Sequence, residues 1–161
     1  MKTLALALLL ATTACGSASG TAGDCTAATD TTPAVCPLTV NGAKGAHVFK
    51  VEMARTAAQQ QQGLMYRTDL TPDGGMLFWP YPPEGGAPKE ANFWMKNTPT
   101  SLDIVFIRTD GTIARIAENT VPFSEGIVPS GEPVAAVLEL IGGRTAALGI
   151  REGDKVVLPK S

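Results

Sequence analysis

A mainly β fold, one compact β-barrel-like domain of about seven strands with two short helices, is what this sequence predicts, and three observations predict it. Apolar and polar residues alternate over short runs: in His47 to Arg55, Phe49, Val51 and Met53 interleave with Lys50, Glu52 and Ala54, the period of a half-buried strand. Clusters of Gly, Pro, Asn and Asp stand between those runs, as at Asp110-Gly111 and Gly153-Asp154, and such pairs turn one strand into the next. Finally, Val134 to Leu140 is apolar on both alternating faces except at Glu139, as expected of a central strand covered on each side.

The elements follow in order. Thr56 is placed to cap a helix, and Gln59 three residues on completes a capping-box pattern. The side chain of each end residue can satisfy a free backbone N–H of the other. The Gln run to Gln62 continues this helix, since Gln is a good helix former, and Gly63 marks its end or a close contact. Thr71 to Gly75 is a turn and Met76 to Trp79 a short strand. Pro80 to Pro88 holds four prolines and two glycines, which no strand or helix tolerates, so it is an exposed loop. Asn92 to Lys96 forms a strand, and Asn97-Thr98-Pro99 turns it into Leu102 to Arg108. The hairpin at Asp110-Gly111 returns through Thr112 to Glu118. Thr120 to Pro133 reads as a second loop. After the central strand, Thr145 to Leu148 is a short helix with Thr145 as cap, and Lys155 to Leu158 is the last strand.

Residues 1–14 read as an export signal: Lys2 is the positive start, Leu4 to Ala11 the apolar stretch, and Thr12-Thr13-Ala14 the small residues before cleavage. The apolar stretch is shorter than the roughly 20 residues a spanning helix needs. Ala14-Cys15-Gly16 resembles the lipobox of bacterial lipoproteins, with Thr12 standing where Leu is usual, and the resemblance implies a lipid on Cys15. Residues 15–37 are rich in Gly, Ala, Ser, Thr and Asp and form a flexible tether; residues 38–161 are the folded domain. With Cys15 acylated, the three cysteines leave Cys25 and Cys36 to pair in an oxidising compartment. The expected location is the bacterial cell envelope, facing the periplasm, with the membrane a partner through the anchor. The formal net charge is −2 and no run of Lys or Arg is present, which argues against nucleic acid as a partner.

Five pieces in fixed order, GLMYR at 63–67, GGMLFWP at 74–80, FWMKNTPTSLDIVFI at 93–107, VLEL at 137–140 and LGIREGDKVVL at 148–158, together resemble the family catalogued as domain of unknown function 192. The resemblance spans roughly Phe49 to Leu158. It implies a compact β-barrel-like domain, often exported in bacteria, with no established activity. The Pro- and Gly-rich loop at Tyr81 to Pro88 is longer than the family pattern.

Catalytic chemistry has little to work with. The one His, His47, lies outside every family motif, and Ser101, Ser124 and Ser130 stand in no nucleophile-elbow context. One His and a tether pair of cysteines make no zinc site. Met53, Met65, Met76 and Met95 are soft enough for Cu(I), but they interleave with Leu, Phe and Trp and read as core filling. No metal or other cofactor is expected. Ligand binding is the leading expectation. Trp79 and Trp94 offer aromatic faces, with Tyr81 an alternative to Trp79, and Arg67 and Lys96 offer donors to a small polar, sugar-like or peptide ligand. Alternation sets Trp94 and Lys96 on one side of their segment and Phe93, Met95 and Asn97 on the other. Two further expectations compete: a hydrolase using Asp103 and Glu139, both in apolar strands where burial raises a carboxyl pKa, and a structural or protein-interaction module using an exposed strand edge.

Overall fold

The computed structural model describes residues 25, 26, 28 and 32–159. The export signal and Cys15 lie outside the described residues, as does most of the tether. Nine strands and two helices are found among the described residues. They are β1 (Val35–Gly42), β2 (Gly45–Ala54), α1 (Ala57–Gln62), β3 (Gly74–Phe78), β4 (Lys89–Phe93), β5 (Leu102–Ile107), β6 (Ile113–Ala117), β7 (Val128–Val134), β8 (Ala136–Ile141), α2 (Arg144–Leu148) and β9 (Lys155–Val157). The fold is mainly β, as the alternation predicts, with two more strands than expected.

Seven strands form one sheet in the order β6-β5-β8-β3-β2-β1-β9. Only β2 and β3 run parallel, and a parallel pair needs a crossover between its strands; α1 lies on that crossover. At the far edge β9 returns to the start of β6: Ile113 N donates to Asp154 O at 2.8 Å and Val156 N to Gly111 O at 2.8 Å. The sheet thus nearly closes into a barrel, and its two edges face each other. β4 and β7 form a separate antiparallel ribbon.

Side-chain alternation divides the core between the two faces of the sheet. Inside the barrel, Leu38, Val40, Phe49, Val51, Leu77, Val105, Leu138 and Leu140 pack together. On the outer face Met76, Phe78, Ile104, Phe106 and Val137 are covered by Ala91 and Val134 of the ribbon, with Leu64 and Met95. Strands β5 and β8 are therefore buried on both sides, which is why neither carries polar alternation. The close approach of β3 to β8 depends on Gly75, where a Cβ would meet Glu139 O at 2.3 Å.

Four sequence expectations are corrected. Residues 35–37, assigned to the tether, belong to β1, and Cys36 is buried in the inner core. Cys36 is joined by a disulfide to Cys25, and Thr26 N donates to Val35 O at 2.9 Å. Closing so short a loop constrains the unfolded chain by roughly 2–3 kcal/mol. Val128–Val134, assigned to a loop for its Pro129, Gly131 and Pro133, is β7; its sheet has only two strands, and Pro is tolerated where a strand edge is unpaired. The strand expected at Asn92 to Lys96 ends at Phe93. Thr145 also lies inside α2 and does not cap it. The N-cap is Gly143, because Thr145 is engaged elsewhere.

Candidate functional site

The site is built on the start of α1. Thr56 Oγ1 accepts from Gln59 N at 3.2 Å, and Gln59 Oε1 accepts from Thr56 N at 3.1 Å and Arg55 N at 2.9 Å, so the capping box the sequence predicts is complete. It fixes the helix at the end of β2. Gln60 then clamps it from the side: its Nε2 donates to Ala54 O at 3.0 Å and to Pro80 O at 2.8 Å. Both amide protons are thereby used, and Gln60 Oε1 is left buried with no hydrogen-bond partner among the described residues. Gly63 ends the helix with its N–H on Gln59 O at 2.8 Å.

Between α1 and the outer face of the sheet lies a cavity of about 330 Å³. Gln60, Gln61 and Gln62 line one side, Tyr81, Phe93 and Trp94 the other, and Glu139 is among the residues that line it. The aromatic wall is braced from behind: Phe93 meets Phe78 edge-on at 4.9 Å and Phe106 at 6.0 Å. Trp94 is 43% exposed, with Lys96 Nζ 5.1 Å from its ring centroid, a cation–π distance. Burial raises the Tyr81 hydroxyl pKa. Glu139 is only 4% exposed, and its Oε2 has no hydrogen-bond partner among the described residues. Burial without a partner pushes its carboxyl up to about 8, so it is largely neutral at pH 7.

A second cavity of about 330 Å³ lies elsewhere along α1, lined by Glu52, Gln59, Gln62, Met65, Arg67 and Met76. Arg67 faces this one, and its fork is already occupied: the guanidinium meets Glu52 at 2.9 Å and Asp69 at 2.7 Å.

Of the four residues expected to bind ligand together, Trp94 lines the first cavity, Lys96 adjoins it over the Trp94 ring, and Arg67 lines the second. Trp79 lines neither and packs against the inner core. Tyr81, the alternative to Trp79, is the loop aromatic that reaches the site. Met53, Met76 and Met95 are core residues. Among the described residues no three His, Cys, Asp or Glu side chains are grouped as a metal site would need.

Asp103 and Glu139 are not brought together. Asp103 is opposite Leu140 in the β5–β8 ladder and Glu139 is opposite Ile104, so neighbouring strands send the two carboxyls to opposite faces of the sheet. Asp103 is fully buried and accepts four hydrogen bonds, from Asn119 N, Gly143 N and Thr145 N, each at 2.9 Å, and from Thr145 Oγ1 at 2.7 Å. It ties α2 and the 119 turn to the barrel. The paired-carboxylate arrangement of the hydrolase expectation is thus replaced by one anchor and one cavity group. The serines are structural too: Ser130 Oγ accepts from Ala91 N at 2.9 Å and donates to Glu132 O at 2.6 Å, and Ser101 Oγ donates to Thr120 O at 3.0 Å.

Sequence reasoning missed Gln60, Gln61 and Phe93 as site residues. The capping box was the available signal, since it fixes the helix register. A helix of six residues is too short for periodicity to show which Gln turns inward.

Comparison with known proteins adds the following. A sequence profile for domain of unknown function 192, described as "Uncharacterized ACR", matches residues 38–158, β1 included. A solved structure of a protein of unknown function from Novosphingobium aromaticivorans is 43% identical, covers 84% of this chain and 94% of its own, and superposes with a TM-score of 0.76. Another, from Sinorhizobium meliloti and described as a candidate transcription regulator, is also 43% identical, covers 80% of this chain and 97% of its own, and has a TM-score of 0.73. No curated protein matches the chain.

Proposed function

The chain belongs to the family of domain of unknown function 192, whose function is uncharacterised, and on that footing we propose that it binds a small sugar-like ligand in the cavity between α1 and the aromatic wall. The observation that carries this reading is the pairing of wall chemistries around one cavity of about 330 Å³: Tyr81, Phe93 and Trp94 against Gln60, Gln61, Gln62 and Asn92. A pyranose has an apolar ring face that stacks on aromatics and hydroxyls that exchange hydrogen bonds with side-chain amides. The volume is at the small end of ligand pockets, which suits one ring better than a long peptide. Binding without catalysis fits the single carboxyl present. The export signal and lipobox-like Cys15 of the sequence support placing this activity in the cell envelope, with the domain held near the membrane by its lipid.

The test is a thermal-shift and NMR titration of the purified protein against monosaccharides and short oligosaccharides. A ligand that binds only the native state must raise the melting temperature. Trp94→Ala is expected to weaken binding about tenfold, the contribution of one stacked aromatic. If no carbohydrate shifts the melting temperature or the Trp94 resonances, the reading fails.

A further inference from the structure

We propose that Tyr66, Trp94, Val121, Phe123 and Ile127 form a face that rests on the surface of a phospholipid bilayer, the one that holds the lipid of Cys15. The inference rests on the envelope-lipoprotein reading and adds to it a second contact with the membrane. Among the described residues seven large hydrophobic side chains are exposed, and five of them are these. The segments that carry them meet at one turn. Tyr66 N donates to Asn97 O at 2.7 Å, Phe123 N to Thr98 O at 3.1 Å, Met95 N to Ser124 O at 2.9 Å and Ser124 N to Val121 O at 3.2 Å. Phe93 is opposite Val128 in the β4–β7 ribbon, so Trp94 and Ile127 are the next residues along its two strands. The remaining two exposed hydrophobics, Val48 and Val157, flank Thr39 of β1 instead. Single exposed apolar residues are ordinary, whereas a cluster of them marks a surface that something covers.

Backbone conformation sets this cluster apart from accidental exposure. Tyr66 has a φ of 64° and Phe123 a φ of 59°, and Asn97, in the turn that joins them, has a φ of 55°. The left-handed region suits Gly and tolerates Asn, but a bulky side chain is strained there. At neither aromatic position is the strain offset by burial in the core, since both residues are exposed. A Gly or Asn would hold either turn at less cost. Strain kept at exposed aromatics points to a role outside the fold.

What covers the face follows from the chain that precedes the domain. Ten residues lead from Cys15 to Cys25, and at full extension they reach at most about 35 Å. The Cys25–Cys36 disulfide fixes the end of that leash to β1; without it the leash would run twenty-one residues to Cys36. It joins on the side of the domain that carries Tyr66, because Pro33 lines the second cavity together with Met65 and Arg67. A lipid on Cys15 therefore keeps this face close to the bilayer, and at such an effective concentration a modest affinity suffices. The tether itself is no occupant: from Gly16 to Asp24 it holds only Gly, Ser, Ala, Thr and Asp, with no large side chain to cover the patch. The composition of the face is that of an interfacial anchor. Trp and Tyr, apolar rings with polar tips, favour the headgroup boundary, and Lys96, 5.1 Å from the Trp94 centroid, can extend its ammonium to the phosphates. Glu125 stands in the same loop as Phe123 and balances Lys96, so the attraction comes from apolar insertion and not from anionic lipid.

Trp94 provides the readout, because the only other tryptophan, Trp79, packs against the inner core. The protein recovered from the envelope is assayed by mass spectrometry for an acyl group on Cys15 and reconstituted in phosphatidylcholine vesicles whose acyl chains carry bromine, a quencher of tryptophan emission. The expected result is the loss of about half of the emission, since one ring of the two meets lipid. The loss should be the same in high salt, which screens charge but not apolar insertion, and absent in Trp94→Phe. Tyr66→Asn combined with Phe123→Asn should abolish the quenching while the melting temperature holds or rises by up to about 8 °C, as the left-handed strain is relieved. Should that double variant not fold, the wild type and Trp94→Phe decide. An acylated protein whose emission bromine leaves unchanged, or quenching that persists in the folded double variant, overturns the docking face and leaves the anchor standing. If the unquenched copies cross-link to one another, the patch belongs to a second copy of the chain. Absence of the acyl group overturns the anchor and the docking face together.

Discussion

Asp103 and Glu139 are two buried carboxyls on neighbouring strands, one register position apart, and their surroundings are opposite. Asp103, on the inner face, accepts four hydrogen bonds from α2 and the turn at Asn119. Glu139, on the outer face, has an oxygen with no hydrogen-bond partner among the described residues. The same residue chemistry, buried in both places, thus organises structure on one side of the sheet and lacks that anchoring on the other. Removing the two side chains should separate these roles. In Asp103→Ala three backbone donors and the Thr145 hydroxyl lose their acceptor inside the protein, and the expected loss is roughly 5 kcal/mol, enough to unfold a marginally stable domain. Denaturant unfolding measures it. A loss below about 1 kcal/mol would mean that water replaces the carboxylate and that Asp103 is no anchor.

Glu139 should behave in the reverse sense, and pH separates the two most clearly. Its carboxyl is pushed up from the ordinary 4.5 to about 8 in the folded protein, so between those values the native state binds more protons than the unfolded state. Stability contributed by the neutral acid is complete below pH 4.5 and is lost as pH rises toward 8. Over that interval the wild type should lose on the order of 4 kcal/mol relative to Glu139→Gln, which cannot ionise. Unfolding curves of both proteins at a series of pH values give the difference directly. A flat difference would show that Glu139 is solvated or paired in solution, and the contrast with Asp103 would collapse.

How much of this contrast the sequence carries depends on the range of the interaction. The capping box at Thr56 and Gln59, the stop at Gly63 and the central position of β8 are short-range patterns, and each is where the sequence puts it. Alternation fails after Phe93, where the strand ends: Phe93 and Trp94, expected on opposite sides, line the same cavity, although Trp94 and Lys96 do meet at 5.1 Å. Strands β1 and β7 were hidden, because Cys36-Pro37 and Pro129 to Pro133 are poor strand formers held extended by their partners β2, β9 and β4. Separating Arg67 from Trp94 required knowing that β2 and β3 are parallel, since that crossover places α1 beside both cavities. Seeing that Asp103 and Glu139 face apart required the β5–β8 register, fixed by pairing between strands distant in sequence. Alternation along one strand tells which residues share a face, but not which face of a neighbouring strand they join.

Two threonine hydroxyls give the finest version of the comparison, because one caps α1 and the other ties the first turn of α2 to Asp103. Thr145 Oγ1 donates to Asp103 from a buried position, and Thr145→Val keeps the shape while removing a donor to a charged acceptor. The expected cost is about 2 kcal/mol, with no change in ligand binding. Thr56 Oγ1 accepts from Gln59 N at the exposed start of α1, so Thr56→Ala should cost only about 1 kcal/mol of stability. Its effect should nevertheless reach the cavity. Loosening the capping box frees Gln59 and lets α1 shift, and the Gln60 to Gln62 wall of the cavity shifts with it. The two variants should therefore invert: the larger stability loss, read by denaturant unfolding, leaves carbohydrate affinity intact, and the smaller one weakens it several-fold in titration. If Thr56→Ala binds as the wild type does, the Gln60 clamp alone sets the cavity wall, and the capping box belongs to folding only.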